Sequence, residues 1–129
     1  MKFLKSFSIL FVLAFLAINV QAQDVTNDVT VIELSQVPGA FESGDLTLPA
    51  GKYLFKIANK TVDHEVGFVI QKASDKDGDV MKTALANSFS EALIAEGKSS
   101  STGIVELNKG EYVYSCPLNP TPKYKITVQ

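Results

Sequence analysis

The sequence predicts an all-β sandwich interrupted by one helical insertion. Apolar residues recur at every second position in several short runs, the pattern of strands with one buried face. Proline- and glycine-containing groups separate those runs and supply turns: Pro38-Gly39, Pro49-Ala50-Gly51 and Asn108-Lys109-Gly110. Residues 79–96 alone leave period two, with Met81, Leu85, Phe89 and Leu93 recurring every four residues. Short strands, one helical segment and no internal repeat point to a sandwich of antiparallel type.

The elements follow in order. Thr30 to Leu34 reads as the first strand, and Asp45 to Leu48 as a short second one. Lys52 to Asn59 places Tyr53, Phe55 and Ile57 on one face. Glu65 to Gln71 does the same with Val66, Phe68 and Ile70. The helix expected around 79–96 has Asp77 or Asp79 as its cap and Gly97 at its end, and Ser88-x-x-Glu91 could split it in two. Lys98 to Gly103, rich in serine, reads as a loop. Ile104 to Leu107, Glu111 to Cys116 and Tyr124 to Val128 are the closing strands.

The first residues read as an address. Lys2 and Lys5 precede an apolar stretch, Phe7 to Val20, and Val20-Gln21-Ala22 suits a cleavage site. Residues 1–22 are expected to be a signal peptide and 23–129 one exported domain, destined for the periplasm or for secretion. The competing reading, an uncleaved anchor, is disfavoured by the shortness of the apolar run. The domain would carry 10 lysines, no arginine and 14 acidic residues. That balance gives nucleic acid nothing to bind.

Cys116 is the only cysteine and His64 the only histidine. An unpaired thiol in an oxidising compartment is expected to be buried, bound to metal or paired with another chain. Asp75-Lys76-Asp77-Gly78-Asp79 resembles a calcium loop only superficially: Gly78 comes too early, and Ala86 stands where a glutamate is needed. No paired carboxylates or phosphate loop stand out, so the chain is not expected to be an enzyme.

Three segments carry a family resemblance: Gly51-x-Tyr53-x-Phe55-x-Ile57-x-Asn59, His64-Glu65-Val66-x-Phe68, and Gly110-x-Tyr112-x-Tyr114-x-Cys116 with its loop and the closing Lys125-Ile126-Thr127-Val128. In these the chain resembles the cupredoxins, small blue-copper proteins, and most of all their amicyanin/plastocyanin branch. The resemblance implies a Greek-key β-sandwich, with residues 75–103 as the variable insertion, and copper as cofactor. The family's ligands are two histidines, a cysteine and a weak axial methionine, a soft and borderline set that serves both copper oxidation states. His64 matches the first histidine and Cys116 the cysteine. The family's Cys-x-x-His-x-x-Met loop is here Cys116-x-x-Asn119-x-x-Pro122. Asn119 replaces the second histidine, and Pro122, whose side chain has no donor atom, replaces the methionine.

The expected function is therefore copper binding through His64 and Cys116, with Asn119 as third candidate and an incomplete ligand set, in an electron-transfer lineage. Two ligands of this kind suit Cu(I) handling. The implied partner is a redox protein or a copper donor or acceptor, with no nucleic acid and no membrane span after cleavage, and the expected state is a monomer. Each residue has a plainer reading as well. His64 could close a strand, Cys116 could be a buried apolar group, Asn119 could cap its loop, and Met81 could pack in the core instead of binding metal. The competing function is a metal-free binding module for a protein or envelope component.

Overall fold

The computed structural model describes residues 28–129. The signal peptide expected over 1–22 lies outside them. The strands are β1 (Val29–Val37), β2 (Ala40–Phe41), β3 (Leu46–Leu48), β4 (Gly51–Asn59), β5 (Val69–Lys72), β6 (Ser99–Leu107), β7 (Gly110–Ser115) and β8 (Tyr124–Val128). Among the described residues they form two four-stranded sheets, β2-β1-β4-β6 and β3-β8-β7-β5. This is the expected Greek-key β-sandwich, but its sheets are mixed. β1 runs parallel to β4 and β3 parallel to β8, while the other pairs are antiparallel.

Period two places the core correctly. Tyr53, Phe55 and Ile57 of β4, Tyr112 and Tyr114 of β7, and Ile126 and Val128 of β8 all face inward and are buried. Phe55 stacks on Phe68 at 5.6 Å, Phe68 meets Tyr114 at 5.7 Å, and Phe41 sits edge-on to Tyr114 at 4.9 Å. Two turns repeat one device. The Tyr53 hydroxyl donates to the Pro49 carbonyl, and the Tyr112 hydroxyl to that of Asn108, each four residues back. The matched Gly-x-Tyr sequences at 51–53 and 110–112 thus pin the start of β4 and of β7.

Burial pushes the Tyr53 phenol up, and burial followed by the nearby Tyr124 and Asp45 raises that of Tyr114 further. Each ring is held neutral by the fold. The stability this contributes is fully present below the unfolded value near ~10 and is lost as pH rises through the folded value. Phenolate absorbance during an alkaline titration should therefore show Tyr114 ionising only together with unfolding. Its ionisation in the folded protein near ~10 would contradict the burial argument.

The insertion departs from expectation. Its α-helix is one turn, α1 (Val80–Thr83), preceded by a 3-10 turn at Ala73–Asp75. Asp79 is the cap, accepting from the Met81 amide at 2.9 Å. The helix stops because the following backbone finds strand partners. Leu85 N–H donates to the Ile70 carbonyl, Ala84 bridges Gln71, Ser90 bridges Thr102 and Ile94 bridges Val66. The four-residue stripe is consequently no buried face: Met81 is 74% and Leu93 56% exposed, whereas Ile94, outside the stripe, is 1% exposed. The segment acts as a strap, covering the edge of β5 in one sheet and part of the edge of β6 in the other. Exposed strand edges invite pairing with other chains, and such a strap removes that opportunity on this side.

The serine-rich stretch expected as a loop is the first half of β6. Ser99, Ser100 and Ser101 pair with Ala58, Ile57 and Lys56. The register slips between Leu54 and Lys56, and buried Thr102 fills the gap, its hydroxyl accepting from the Phe55 amide at 3.1 Å. Gly103 lets the strap come close, since a β-carbon there would sit 3.1 Å from that of Asn87. Thr102→Val keeps the shape but orphans the Phe55 N–H. It should cost about 1–2 kcal/mol in denaturant unfolding, and a neutral effect would show that the hydroxyl is dispensable.

Candidate functional site

The three candidate residues lie at one end of the sandwich. Cys116 follows β7 and is 4% exposed. Three backbone amides converge on its sulfur: Gly67 at 3.3 Å, Leu118 at 3.3 Å and Asn119 at 3.2 Å. Two of these come from its own tight loop and one from the segment that enters β5. The loop is closed by Thr121, whose Oγ1 accepts from the Cys116 amide at 3.3 Å.

Asn119 is also buried, and its amide is used on both sides. Oδ1 accepts from the Gly39 amide at 2.9 Å, while Nδ2 donates to Gln36 Oε1 at 3.0 Å and to the Val37 carbonyl at 3.1 Å. Gly39, at φ +74° in the β1–β2 turn, can adopt the left-handed conformation that aims its amide here. Gln36, fully buried, passes the connection on by donating from Nε2 to the Gly67 carbonyl at 2.7 Å. The result is a closed circuit: Asn119 to Gln36, Gln36 to Gly67, Gly67 to Cys116 Sγ, and Cys116 Sγ back to Asn119. It joins β1, the 64–68 segment and the C-terminal loop. Among the described residues no buried side-chain polar atom lacks a partner.

His64 is placed differently. Its side chain is exposed, with Nδ1 3.0 Å from the carbonyl oxygen of its neighbour Glu65. Asn59, at the end of β4, holds the loop that carries it. Asn59 Nδ2 donates to the carbonyls of His64 and Ile94, both at 3.0 Å, and Oδ1 accepts from the Val62 amide at 2.8 Å. Met81 is exposed on α1, so neither core packing nor a place in this end of the sandwich accounts for it. Gln36 and Gly67 were not singled out by sequence reading. The signal for Gln36 was available: continuing the inward row Ile32, Leu34 by two residues reaches it.

This donor set does not fit a blue-copper ion. Such a centre needs a thiolate and two imidazoles. The chain has one imidazole, on the surface, and the amide standing for the second is bonded to Gly39, Gln36 and Val37. A metal at Asn119 Oδ1 would have to share that atom with the Gly39 N–H. Among the described residues, no three His, Cys, Asp or Glu side chains come together as a metal cluster.

No protein-family model matches the chain, and no curated protein is similar to it in sequence. Solved structures are. Auracyanin B matches with a TM-score of 0.61 and 19% identity, over 78% of this chain and 88% of that one. Auracyanin A, a "blue" copper protein from the green thermophilic photosynthetic bacterium Chloroflexus aurantiacus, matches with a TM-score of 0.64 and 16% identity, over 79% and 100%. Dithionite-reduced auracyanin from Roseiflexus castenholzii matches with a TM-score of 0.59 and 19% identity, over 78% and 97%. At these identities the likeness speaks for the backbone and not for the ligands, and with the sheet order and the position of the Cys116 loop it identifies the fold: the chain is a cupredoxin-fold β-sandwich.

Proposed function

We propose that this is an exported protein that keeps the cupredoxin sandwich, holds its loop end together by hydrogen bonds instead of copper, and serves as a metal-free binding module for a protein or another envelope component. Residues 1–22 would be removed as a signal peptide and 23–129 would be the working domain. The spacing Cys116-x-x-Asn119-x-x-Pro122 supports descent from the short-loop amicyanin/plastocyanin type. The observation that carries the reading is the circuit Asn119–Gln36–Gly67–Cys116. It gives the loop and both neighbouring segments a fixed geometry without a metal. Leu93, 56% exposed, and Leu118, 47% exposed, flank this end and supply apolar contact area. Leu93 lies against Gly67, and the Leu118 amide touches the sulfur.

A second reading, Cu(I) handling by Cys116 and His64 with a copper donor or acceptor as partner, has one observation in its favour. His64 lies three residues before the amide that touches the sulfur, and the tautomer in which Nδ1–H donates to the Glu65 carbonyl keeps the Nε2 lone pair for a metal. A thiolate and an imidazole would supply Cu(I) with a low-coordinate soft site.

Native mass spectrometry and visible absorption of the reduced protein with Cu(I) and Cu(II) separate the two. The metal-free reading expects no stoichiometric copper at micromolar metal and no change in colour. Colourless one-to-one Cu(I), abolished by His64→Ala and by Cys116→Ala, would replace it with the second reading. Intense thiolate-to-copper colour would restore electron transfer and overturn both.

A further inference from the structure

The edge of β1 carries an inference of its own. β2 pairs only with Gln36 and Val37 of β1. Along a strand, the N–H and C=O of one residue point to the same side, and successive residues alternate. The Gln36 carbonyl accepts from Lys60, beyond the end of β4, while that of Ser35 accepts from Glu42, beyond β2. Odd-numbered residues of β1 therefore turn their backbone groups away from β4. Among the described residues, the N–H and C=O of Val29, Val31 and Glu33 face an open edge. The strap that covers β5 and β6 does not reach it.

The outer surface beside this edge is ordered in rows. Val31 is in register with Leu54 and Leu54 with Ile104, an apolar row in which Val31 is 53% and Ile104 48% exposed. The row on one side holds Val29, Lys52 and Glu106, and the row on the other holds Glu33 and Lys56.

We propose that β1 pairs antiparallel with β1 of a second copy of this chain about a two-fold axis at Val31, joining two four-stranded sheets into one of eight. The register recommends a second copy over an arbitrary strand. Centred on Val31, Val31 faces its own symmetry mate and Glu33 faces Val29 of the other copy, so no like charges stand opposite one another. The apolar row becomes continuous, from Ile104, Leu54 and Val31 of one copy into the same three of the other. Each Glu33 also ends beside the row that carries Lys52 of its mate. A shift of two residues in either direction breaks the apolar row, and one centred on Glu33 sets two carboxylates face to face. The edge is β-branched and free of proline, and its single charge sits where this register tolerates it.

Sedimentation of the full protein, produced in an exporting host, should show the mass doubling between micromolar and millimolar concentration. Amide exchange at Val29, Val31 and Glu33 should slow in step. Val31→Lys, at an exposed position, should abolish the doubling without changing the melting temperature. Val31→Cys should form a disulfide-linked dimer on mild oxidation, because directly opposed α-carbons of a hydrogen-bonded pair are about 5.5 Å apart. Glu33→Cys should not, since the two copies of residue 33 would be about 13 Å apart along the strands. A monomer throughout, whether its edge amides are open or already protected within one chain, overturns the proposal. So does a dimer that survives Val31→Lys, equal cross-linking from positions 31 and 33, or isolation of the monomer with another protein's strand on β1.

Discussion

Phe55→Ala is expected to lower the stability of the fold by about 4 kcal/mol, within the range for truncating a buried aromatic ring. Phe55 is fully buried at the centre of β4, stacks on Phe68 at 5.6 Å and lies 6.2 Å from Tyr53. Truncation removes the burial of an aromatic ring and leaves a cavity beneath β4, a strand laddered on both sides by β1 and β6. The backbone therefore cannot close over the gap. The Phe55 amide is also committed to Thr102, which fixes the strand at its register slip. Phe68→Leu, which keeps most of the volume, should cost about half as much or less. Urea unfolding followed by near-ultraviolet circular dichroism would measure both. A loss below about 2 kcal/mol for Phe55→Ala would mean that the sheets can collapse onto the site.

The same core explains how far the sequence could be read. Strands with one buried face declare themselves by period two, and Tyr53-x-Phe55-x-Ile57 and Tyr124-x-Ile126-x-Val128 sit as that pattern requires. What periodicity does not state is which strand lies beside which. The parallel pairings of β1 with β4 and β3 with β8 depend on contacts 23 and 80 residues apart in sequence. The insertion misled for a related reason. Met81, Leu85, Phe89 and Leu93 have helical spacing, but local propensity lost to the open edges of β5 and β6, which offered hydrogen bonds to Leu85 and Glu91, and to Val66 ahead of β5, which offered them to Ile94. The serines at 99–101 looked like loop because β-propensity is low there. The ladder with β4 decided otherwise.

At the loop end, residue types were legible and their engagement was not. Cys116 and His64 stood out by being single, and the spacing to Asn119 and Pro122 exposed a departure from the copper loop. The destination of the Asn119 amide could not be read, because Gly39, Gln36 and Val37 are about 80 residues away. Nor could sequence show that His64 is exposed; Gln36, an ordinarily exposed residue type, is buried beneath the loop, and only its place in the inward row of β1 marks it.

The circuit beneath that loop makes the second large prediction. Asn119→Ala strips partners from the Gly39 amide, Gln36 Oε1 and the Val37 carbonyl at once. Gln36 is fully buried, so water cannot readily take the vacated place. The expected loss is about 3 kcal/mol, at roughly 1–3 for each buried group left unsatisfied, with partial relief for the groups nearer the surface. Gln36→Ala should cost a similar amount, since it orphans the Gly67 carbonyl and the Asn119 amide and opens a cavity. Because both substitutions break one shared set of bonds, the double variant should fall short of the sum by about 1 kcal/mol or more. The series also tests the function. An end held by hydrogen bonds should show the same losses with and without a copper chelator, whereas an end held by metal should lose stability to the chelator in the unaltered protein. Additive effects, or a loss below about 0.5 kcal/mol for Asn119→Ala, would remove the circuit as the element that replaces copper.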